Sequence, residues 1–449
     1  MDIEPPSSTW LVKNKNQVSA PVSLGEECGV LAMNTCNYMQ IKNALLCIQH
    51  RGHTSSGIVG WSNGKYYIER ELGLIEQLVD KDEKYEACIG HVRYATSGYD
   101  AISPLRGVIA GNDEFYLAHN GHITNIKYDG IDTQYIVKFI EENWRISWEE
   151  TIKYLLESIK GVYSLVIINR NKIIGTRDRY GVRPLVLGRI NKQYVISSES
   201  LPVNNYIFDR SIEPGEIISI DNDSCYSIKM MNNPKTSLCL FEYIYFSREY
   251  SIIENDKIIE EYRYSIGFQQ GKINKLSGEY YVLGIPNTGI MYGRAYSEGA
   301  SLEYRQWITK INKSRTFILP NNATRSNACK NLLEYDEDNL KDKKVILVDD
   351  SLVRGNVIRN IVSKLRECMV KEIHLRVMSP AVISQCYYGV DIPTKEELIA
   401  HGKTELEIAD ILGIDSVKFT SLEEIYTVMK SYNYCSSCFT GEYSDLLDW

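Results

Sequence analysis

The sequence predicts an α+β domain of two antiparallel sheets with helices outside, followed by an α/β domain with a mainly parallel sheet. The chain has 449 residues, which is more than one ordinary hydrophobic core accommodates. Short alternating or apolar runs fill the first half, a pattern typical of strands. Strand and helix patterns alternate in the second half, which favours βαβ units. The pattern changes near residues 221–238, where we place the domain boundary.

The elements of the first half follow from residue spacing. Three amphipathic segments predict helices, at Asn37–Gln49, Tyr135–Trp144 and Trp148–Lys160. Ten short runs predict strands, at Cys28–Met33, Gly57–Trp61, Lys65–Glu69, Ala87–Tyr94, Phe115–Ala118, Tyr163–Asn169, Lys172–Arg177, Leu185–Arg189, Tyr194–Ser198 and Glu216–Ile220.

The second half alternates between the two kinds of element. Its predicted members, in chain order, are the strand Tyr280–Ile285, the helix Met291–Ser301, the strand Lys344–Asp349, the helix Val357–Arg366 and the strand Glu372–Met378. Ligands of parallel sheets bind at the carboxyl ends of the strands. We therefore expect binding loops at Pro286–Gly293 and Asp349–Gly355.

Charge and composition limit the classes of partner. The net charge is −8, without the basic patch that nucleic-acid or anionic-membrane binding requires. The apolar runs are far shorter than the ~20 residues that span a bilayer, and Met1–Glu27 lacks a secretory signal pattern. We expect a cytoplasmic protein with small-molecule ligands. Its eleven cysteines are then reduced thiols, each a core residue, a nucleophile or a ligand.

Cys28 is a candidate nucleophile because of the polar blocks that follow it. A cysteine beside a glycine is by itself more often a buried core thiol. The blocks downstream are Gln49–Gly52, Gly90–Thr96, Ala118–Gly121 and Asp132–Thr133. In this order they resemble the N-terminal-nucleophile glutaminase domain of the class II glutamine amidotransferases.

The resemblance implies an αββα sandwich over residues 28–230 and removal of Met1–Glu27 as a propeptide. In that family the cysteine thiolate attacks the amide carbon of glutamine, with its own α-amino group as base. Asn120 and the backbone N–H of Gly121 match the oxyanion hole. The implied glutamine-binding residues are Arg51, Arg93, Tyr94, Thr96 and Asp132.

Two of these residues suit the zwitterionic substrate directly, since Arg93 can bind its carboxylate and Asp132 its ammonium. We interpret His50, His91 and His119 as ordinary hydrogen-bonded histidines near the core.

The string Val345–Gly355 is an apolar strand that continues into two carboxylates and a glycine-bearing turn. An Asp pair after a strand is often only favourable charge at a helix N-terminus. The full string resembles the phosphoribosylpyrophosphate motif of type I phosphoribosyltransferases. That resemblance implies that the two carboxylates, with Thr288, organise Mg²⁺ and the ribose, and that Pro286–Gly289 is the pyrophosphate loop. The implied substrate-binding residues are Asp349, Asp350, Ser351, Val353, Arg354, Gly355 and Asn356.

Further blocks connect the two halves, namely Phe241–Arg248, Arg315–Ile318 and Phe439–Tyr443. With them, nearly all of residues 28–443 resembles the glutamine phosphoribosylpyrophosphate amidotransferase family. The implied reaction makes 5-phosphoribosylamine, glutamate and pyrophosphate, the first committed step of purine synthesis. The resemblance also implies a homotetramer.

Departures from the family pattern concentrate on the phosphoribosyl site, at Asn287, Thr309–Asn312, Leu332 and Asn356–Ile358. Each removes a charge or a phosphate donor. We therefore expect a raised requirement for phosphoribosylpyrophosphate. Two alternatives remain open, a regulatory or scaffold homologue that has lost phosphoribosyl transfer and a plain glutaminase.

Four cysteines lie in blocks shared with cluster-containing members of the family. They are Cys239, Cys386, Cys435 and Cys438. Alone, the Cys435–Cys438 pair is compatible with zinc, redox chemistry or chance. The resemblance implies a 4Fe-4S cluster with these four ligands and a domain spanning residues 239–449. Zinc is the alternative, since four thiolates also satisfy its tetrahedral preference.

Overall fold

The computed structural model describes residues 28–94, 102–109, 112–125, 131–230, 236–254, 257–311, 333–392, 394–431 and 433–443. The expected propeptide, Thr96, Asn312, Leu332 and the Arg315–Ile318 block lie outside the described residues.

The first half forms thirteen described strands and three α-helices. The strands are β1 (Gly29–Asn37), β2 (Ser55–Ser62), β3 (Lys65–Leu72), β4 (Lys84–Arg93), β5 (Leu105–Ile109), β6 (Asp113–Ile123), β7 (Gly161–Asn169), β8 (Lys172–Arg177), β9 (Val186–Ile190), β10 (Gln193–Ser197), β11 (Tyr206–Ser211), β12 (Glu216–Asp221) and β13 (Ser224–Lys229). The helices are α1 (Tyr38–Cys47), α2 (Asp132–Glu142) and α3 (Trp148–Ser158).

These strands make two antiparallel sheets that pack face to face. Their orders are β11-β9-β10-β1-β4-β2-β3 and β13-β12-β8-β7-β6-β5. Along β1, Val30 and Ala32 point into the core between the sheets, whereas Leu31 and Met33 pack under α1. Both faces of this strand are buried, which explains its continuous apolar run. Helices α2 and α3 cover the other sheet, which completes the expected αββα layers.

The second half is built around a five-stranded sheet with parallel pairs. Its described strands are β14 (Leu238–Cys239), β15 (Tyr281–Gly284), β16 (Glu303–Tyr304), β17 (Ile308–Lys310), β18 (Leu333–Tyr335), β19 (Lys344–Asp349), β20 (Glu372–Val377), β21 (Ser416–Phe419) and β22 (Tyr434–Cys435). The main sheet has the order β16-β15-β19-β20-β21. Its strand pairs are parallel, as the βαβ rhythm predicted.

Seven described α-helices accompany these strands. They are α4 (Ile259–Ile273), α5 (Gly289–Ala300), α6 (Glu337–Leu340), α7 (Asn356–Glu367), α8 (Glu405–Leu412), α9 (Leu422–Met429) and α10 (Ser437–Thr440). None of the helices in the described ranges is long and apolar enough to cross a membrane.

Three described strands of the first half were not predicted from the sequence. In the second half, the unpredicted elements are the strands β14, β16, β17, β18, β21 and β22 and the helices α4, α6, α8, α9 and α10. Strands β5, β11 and β13 each form the edge of a sheet and are partly exposed, so their apolar alternation is weak. Helix α4 buries Arg263 and Gln270 along with Tyr262 and Ile266, which interrupts its apolar stripe. Periodicity therefore identified the elements with uniformly apolar buried faces and missed the others.

Candidate active sites

The pairing of β1 with β4 sets the surroundings of Cys28. Gly29 lies opposite Val92, which brings Cys28 beside Arg93 and Tyr94. The Cys28 Sγ accepts from the backbone N–H of Tyr94 at 3.4 Å and lies 3.5 Å from its carbonyl oxygen. Burial lowers the pKa of Arg93, and the negative charge available at Cys28 opposes this shift. The expected carboxylate-binding cation is thus within electrostatic reach of the expected nucleophile.

Asn120 and Gly121 lie near the end of β6 and present unusual backbone and side-chain features. The Asn120 side chain is 2% exposed, and its Nδ2 has no hydrogen-bond partner among the described residues. Leaving such a donor unpaired costs about 1–3 kcal/mol. Gly121 has a φ of 146°, and a Cβ there would overlap the carbonyl oxygen of Val162, so glycine is required. A buried amide donor without a partner is what an oxyanion hole needs.

Asp132 is the first residue of α2 and remains charged. Its Oδ2 accepts from the backbone N–H of Ile123 at 2.9 Å and lies 2.8 Å from Nδ1 of His122. Burial works to raise the pKa of Asp132, but the hydrogen bonds and the charges of His122 and His119 outweigh it and lower the pKa. A carboxylate in this state can bind the ammonium of glutamine.

The three histidines of the polar blocks are buried or nearly so. Burial lowers the pKa of His91 to about 3 and that of His119 to about 4, so both are neutral at pH 7. His119 Nδ1 lies 3.2 Å from Thr133 Oγ1. His50 Nε2 lies 2.8 Å from a carboxylate oxygen of Glu199. These contacts of His119 and His50 agree with structural roles, whereas both ring nitrogens of His91 are buried without a hydrogen-bond partner among the described residues.

Arg51 is buried beside Cys28 and is held by two carboxylates. Its side chain is 1% exposed and binds the carboxylates of Glu199 and Glu242. Its Nε donates to the carbonyl oxygen of Cys28 at 3.3 Å. Its place among the glutamine-binding residues stays a prediction.

The second site lies at the carboxyl end of β19, where Asp349 and Asp350 are adjacent. Burial raises the pKa of Asp350 to about 6, while burial and the charge of Asp350 raise the pKa of Asp349 well above its usual range. The hydroxyl groups of Ser351 and Thr288 bond to Asp350. Two carboxylates held at this energetic cost, with a hydroxyl beside them, suit a hard cation.

The turn after the carboxylates leads into α7. Gly355 has a φ of 76° and precedes the first residue of the helix, Asn356, whose side chain accepts from Arg359 at 3.1 Å. Arg354 donates to Glu397 at 2.8 Å, and the carbonyl oxygen of Val353 accepts from Ile399. The turn thus holds the free N–H groups of a helix N-terminus beside the carboxylates, a usual phosphate site.

A cavity of about 410 Å³ opens beside the expected pyrophosphate loop. Its lining residues are Pro286, Asn287, Ile290, Arg294, Gln306, Thr309 and Lys310. Arg294 was missed from the sequence, although a basic residue one turn after Ile290 on α5 is a signal that could have found it. Two cations, Arg294 and Lys310, therefore line a cavity that also includes Asn287, one of the departures from the family pattern.

The four expected ligand cysteines come together in one region. Strand β14 pairs in parallel with β22, which places Cys239 opposite Cys435. Burial raises the pKa of Cys438 well above its usual range, and the charges of Cys386, Cys239 and Cys435 add to that shift. The backbone N–H of Tyr388 donates to Cys386 Sγ at 3.3 Å. Within the described ranges, no group of three or more His, Cys, Asp or Glu side chains is arranged to hold a metal ion.

Comparison with known proteins identifies relatives of this chain. A glutamine amidotransferase domain model matches residues 106–204. The amidophosphoribosyltransferase of Bacillus subtilis is 32% identical, covering 94% of this chain and 94% of its own length. The chain belongs to the amidophosphoribosyltransferase family. The Methanocaldococcus jannaschii member is also 32% identical, over 93% of this chain and 97% of its own.

The fold of the family is also matched by a solved structure. The B. subtilis glutamine phosphoribosylpyrophosphate amidotransferase, solved in complex with ADP and GMP, superposes with a TM-score of 0.84 and 31% identity. The match covers 93% of this chain and 97% of that chain. The family and the fold class predicted from the sequence are confirmed.

Proposed function

We propose that this chain hydrolyses glutamine at Cys28 and uses the ammonia to displace pyrophosphate from phosphoribosylpyrophosphate, giving 5-phosphoribosylamine. The observation that carries the proposal is the presence of both half-sites in one chain. One half-site holds Cys28, Arg93 and the Asn120 amide, whose Nδ2 has no partner in the described part of the chain, and the other holds the Asp349–Asp350 pair. The chain shares the overall fold of a known family member, which supports the proposal.

In the glutaminase half, the Cys28 thiol attacks the amide carbon of glutamine and forms a tetrahedral oxyanion. Removal of Met1–Glu27 frees the α-amino group of Cys28, which takes the thiol proton and returns it to the leaving ammonia. The Asn120 amide and the N–H of Gly121 stabilise the oxyanion. Arg93 and Asp132 hold the two charged ends of the substrate, and water then releases glutamate from the thioester. Tyr94 and Thr96 are the remaining predicted contacts.

In the transferase half, ammonia attacks C1 of the ribose and the bond from C1 to pyrophosphate breaks. Asp349 and Asp350 hold the ribose hydroxyls, and the N–H groups of the turn that ends at Gly355 hold the 5′-phosphate. Mg²⁺, when bound, neutralises the charge of the leaving pyrophosphate. The oxygen donors of the two carboxylates and Thr288 are the kind that this ion prefers.

The cavity beside the pyrophosphate loop supports phosphoribosyl transfer despite the departures in sequence. Arg294 and Lys310 supply positive charge on its wall, next to Asn287. Lys310 keeps a positive charge within the Thr309–Asn312 departure, and Arg294 adds a second one outside the departures. We therefore place the pyrophosphate group of the substrate in this cavity. The homo-oligomer that the resemblance implies stays a prediction.

Replacing Asn120 with alanine tests the glutaminase half. Loss of one oxyanion donor should lower kcat for glutamine hydrolysis by about 10²–10³-fold. Ammonia-dependent synthesis of phosphoribosylamine should be unchanged, because it does not pass through the oxyanion. Glutamate release and pyrophosphate release are the two measurements. Asn171→Ala, at a surface turn where the side chain bonds to Asp221 and Asn222, is the matched control. Equal activity in both variants would remove Asn120 from the mechanism.

We also propose that Cys239, Cys386, Cys435 and Cys438 bind a 4Fe-4S cluster. Cys239 and Cys438 belong to one buried apolar cluster, Cys386 and Cys435 pack against it, and a backbone N–H donates to the Cys386 sulfur. Thiolates in such surroundings suit iron–sulfur ligation. The cluster, when bound, would join the segment that carries Cys435 and Cys438 to the strand of Cys239 and the loop of Cys386.

Anaerobically purified protein should accordingly be brown and contain about four irons per chain. Cys435→Ser should lose most of the iron and lower the unfolding temperature, because the C-terminal segment loses its cross-link. Cys368→Ser changes a buried cysteine in a different core cluster and should retain the iron. Iron and zinc are measured by elemental analysis. Colourless protein with one zinc ion per chain would overturn the cluster in favour of the Cys₄ zinc site.

A further inference from the structure

A buried group of charges joins the two halves of the chain directly behind Cys28. Arg51 Nη2 lies 2.6 Å from Glu242 Oε1, and Arg51 Nη1 lies 3.1 Å from Glu242 Oε2 and 3.0 Å from Glu199 Oε1. The three side chains are 1%, 0% and 1% exposed, respectively. Glu242 belongs to the second half, so its bidentate contact with Arg51 crosses the boundary between the domains.

This group reaches the backbone of the nucleophile. Arg51 Nε donates to the carbonyl oxygen of Cys28 at 3.3 Å. The remaining guanidinium nitrogens point at Glu242 and Glu199, so the two carboxylates determine where Nε lies. The position of Cys28 is thereby linked to a side chain 214 residues away, the difference between positions 242 and 28.

Glu242 is itself held rigidly by the second half. It lies at the start of a π-helical turn, Glu242–Phe246. This conformation is rare in proteins overall, and where it occurs it is often at a functional site. Ser247 Oγ donates to Glu242 Oε2 at 2.7 Å. Arg263 donates to the carbonyl oxygens of Tyr243 and Ser247, each at 2.7 Å. The carboxylate is therefore presented in one orientation.

Fold stability alone is a weak explanation for this group, because the desolvation of a buried ion pair offsets much of its attraction. A second buried pair at the same boundary provides a comparison. Arg177 lies 3.4 Å from Glu254, and its other hydrogen bonds go to the carbonyl oxygens of Gly181, Arg183 and Ile212. Among the described residues, the hydrogen bonds of that pair do not reach the polar blocks around Cys28, whereas the Arg51–Glu242 pair ends on Cys28 itself.

We propose that Glu242 is a positioning residue of the glutaminase site that the second domain contributes. By fixing the Arg51 guanidinium, it holds the Cys28 carbonyl, so that the thiol and the α-amino group of the same residue face the bound amide. Glu199 assists from the first domain. Burial works to raise the pKa of Glu199, but the charges of His50 and Arg51 outweigh burial and keep that pKa well below its usual range. The Glu199 carboxylate therefore stays charged. The proposal rests on the role of Cys28 given above.

Glu242→Gln preserves the shape of the side chain and removes its charge. Misplacing a reacting group by about 1 Å costs roughly 10²-fold in rate, so we expect kcat for glutamine hydrolysis to fall about ten- to a hundredfold. The KM for glutamine should change by less than about threefold. KM rises when a contact that holds the substrate equally in the ground state and the transition state is lost, and the proposed contacts of this kind, Arg93 and Asp132, are intact in the variant. A merely structural role would not separate kcat from KM in this way.

The experiment uses the full-length protein and compares Glu242→Gln with Glu254→Gln, the matched change in the second buried pair. A glutamine analogue with an electrophilic carbon at the amide position reports the reactivity of Cys28 directly. The rate constant of labelling should fall at least about tenfold in Glu242→Gln and stay near the wild-type value in Glu254→Gln. Ammonia-dependent activity and the unfolding temperature are measured on the same samples.

Equal labelling rates in wild type and Glu242→Gln, or equal losses in the two variants, would overturn the positioning role. If Glu242→Gln does not fold, Ser247→Ala takes its place, because it removes one hydrogen bond that orients the Glu242 carboxylate. An unchanged labelling rate in Ser247→Ala would also overturn the positioning role of Glu242. Peptide mapping of the labelled wild type tests the nucleophile separately from the positioning role of Glu242. A label on a residue other than Cys28 would contradict Cys28 as the nucleophile.

Discussion

Cys28→Ala should abolish glutamine-dependent formation of phosphoribosylamine and leave ammonia-dependent formation intact. The variant removes the atom that bonds to the amide carbon, and no neighbouring group replaces it. The neutral His91 and His119 are buried, and Arg93 remains a cation. The transferase site receives ammonia from solution in the second assay and so does not need the thiol. The measurement is pyrophosphate release with each nitrogen source.

The control for this variant is Cys47→Ala, which removes a partly exposed thiol on α1. It should behave as wild type with both nitrogen sources. Intact mass of the active wild-type protein should correspond to a chain that begins at Cys28, as the α-amino base requires. Equal loss of both activities in Cys28→Ala would contradict the two-site mechanism, and full activity in a chain that retains Met1–Glu27 would contradict the free amino group.

Asp349→Asn/Asp350→Asn should eliminate binding of phosphoribosylpyrophosphate in the presence of Mg²⁺. The wild type should bind it weakly, because charge-assisted hydrogen bonds contribute about 1.5–3 kcal/mol each and several expected donors are replaced. Removing both negative charges takes away the cation site and the acceptors for the ribose hydroxyls. Calorimetric titration of both proteins measures the difference. Glutamine hydrolysis by itself tests whether the first site survives.

The stability of this double variant separates loss of binding from loss of folding. Both carboxyl groups have a raised pKa in the folded protein, so the folded state binds their protons more tightly than the unfolded state does. In Mg²⁺-free buffer, the contribution of the two carboxyl groups to the free energy of unfolding is present at low pH. It is lost as the pH rises through their pKa values in the folded protein, about 6 for Asp350. Above pH 6 the asparagine variant should therefore unfold at the same temperature as the wild type or higher.

Glu337→Gln/Asp338→Asn, on exposed α6, removes the same number of charges from the surface and should bind like the wild type. Absence of binding to the wild type at millimolar substrate would instead favour the scaffold or plain-glutaminase alternatives.

The sequence by itself determined the reaction chemistry of the family and most of the helix and sheet layers of the fold. The run Val30–Met33 is apolar at successive positions because both faces of its strand are buried. The predicted strand Lys344–Asp349 has the same bounds in the structure. The blocks around Arg93, Asn120 and Asp349 carried the family resemblance because substrate charge and oxyanion chemistry require those residue types at fixed places. Edge strand β13 and helix α4 were missed because their buried faces are narrow or polar.

Only the tertiary structure decided what Arg51 does. Its partners Glu199 and Glu242 are 148 and 191 residues away in the chain, and periodicity reports only which face of a local element is buried. The cavity between Asn287, Arg294 and Lys310 and the approach of Cys239 to Cys435 depend in the same way on strands and helices distant in sequence. Long-range charge pairing is fixed by how the two domains pack, because a buried guanidinium must find its carboxylates wherever the fold brings them.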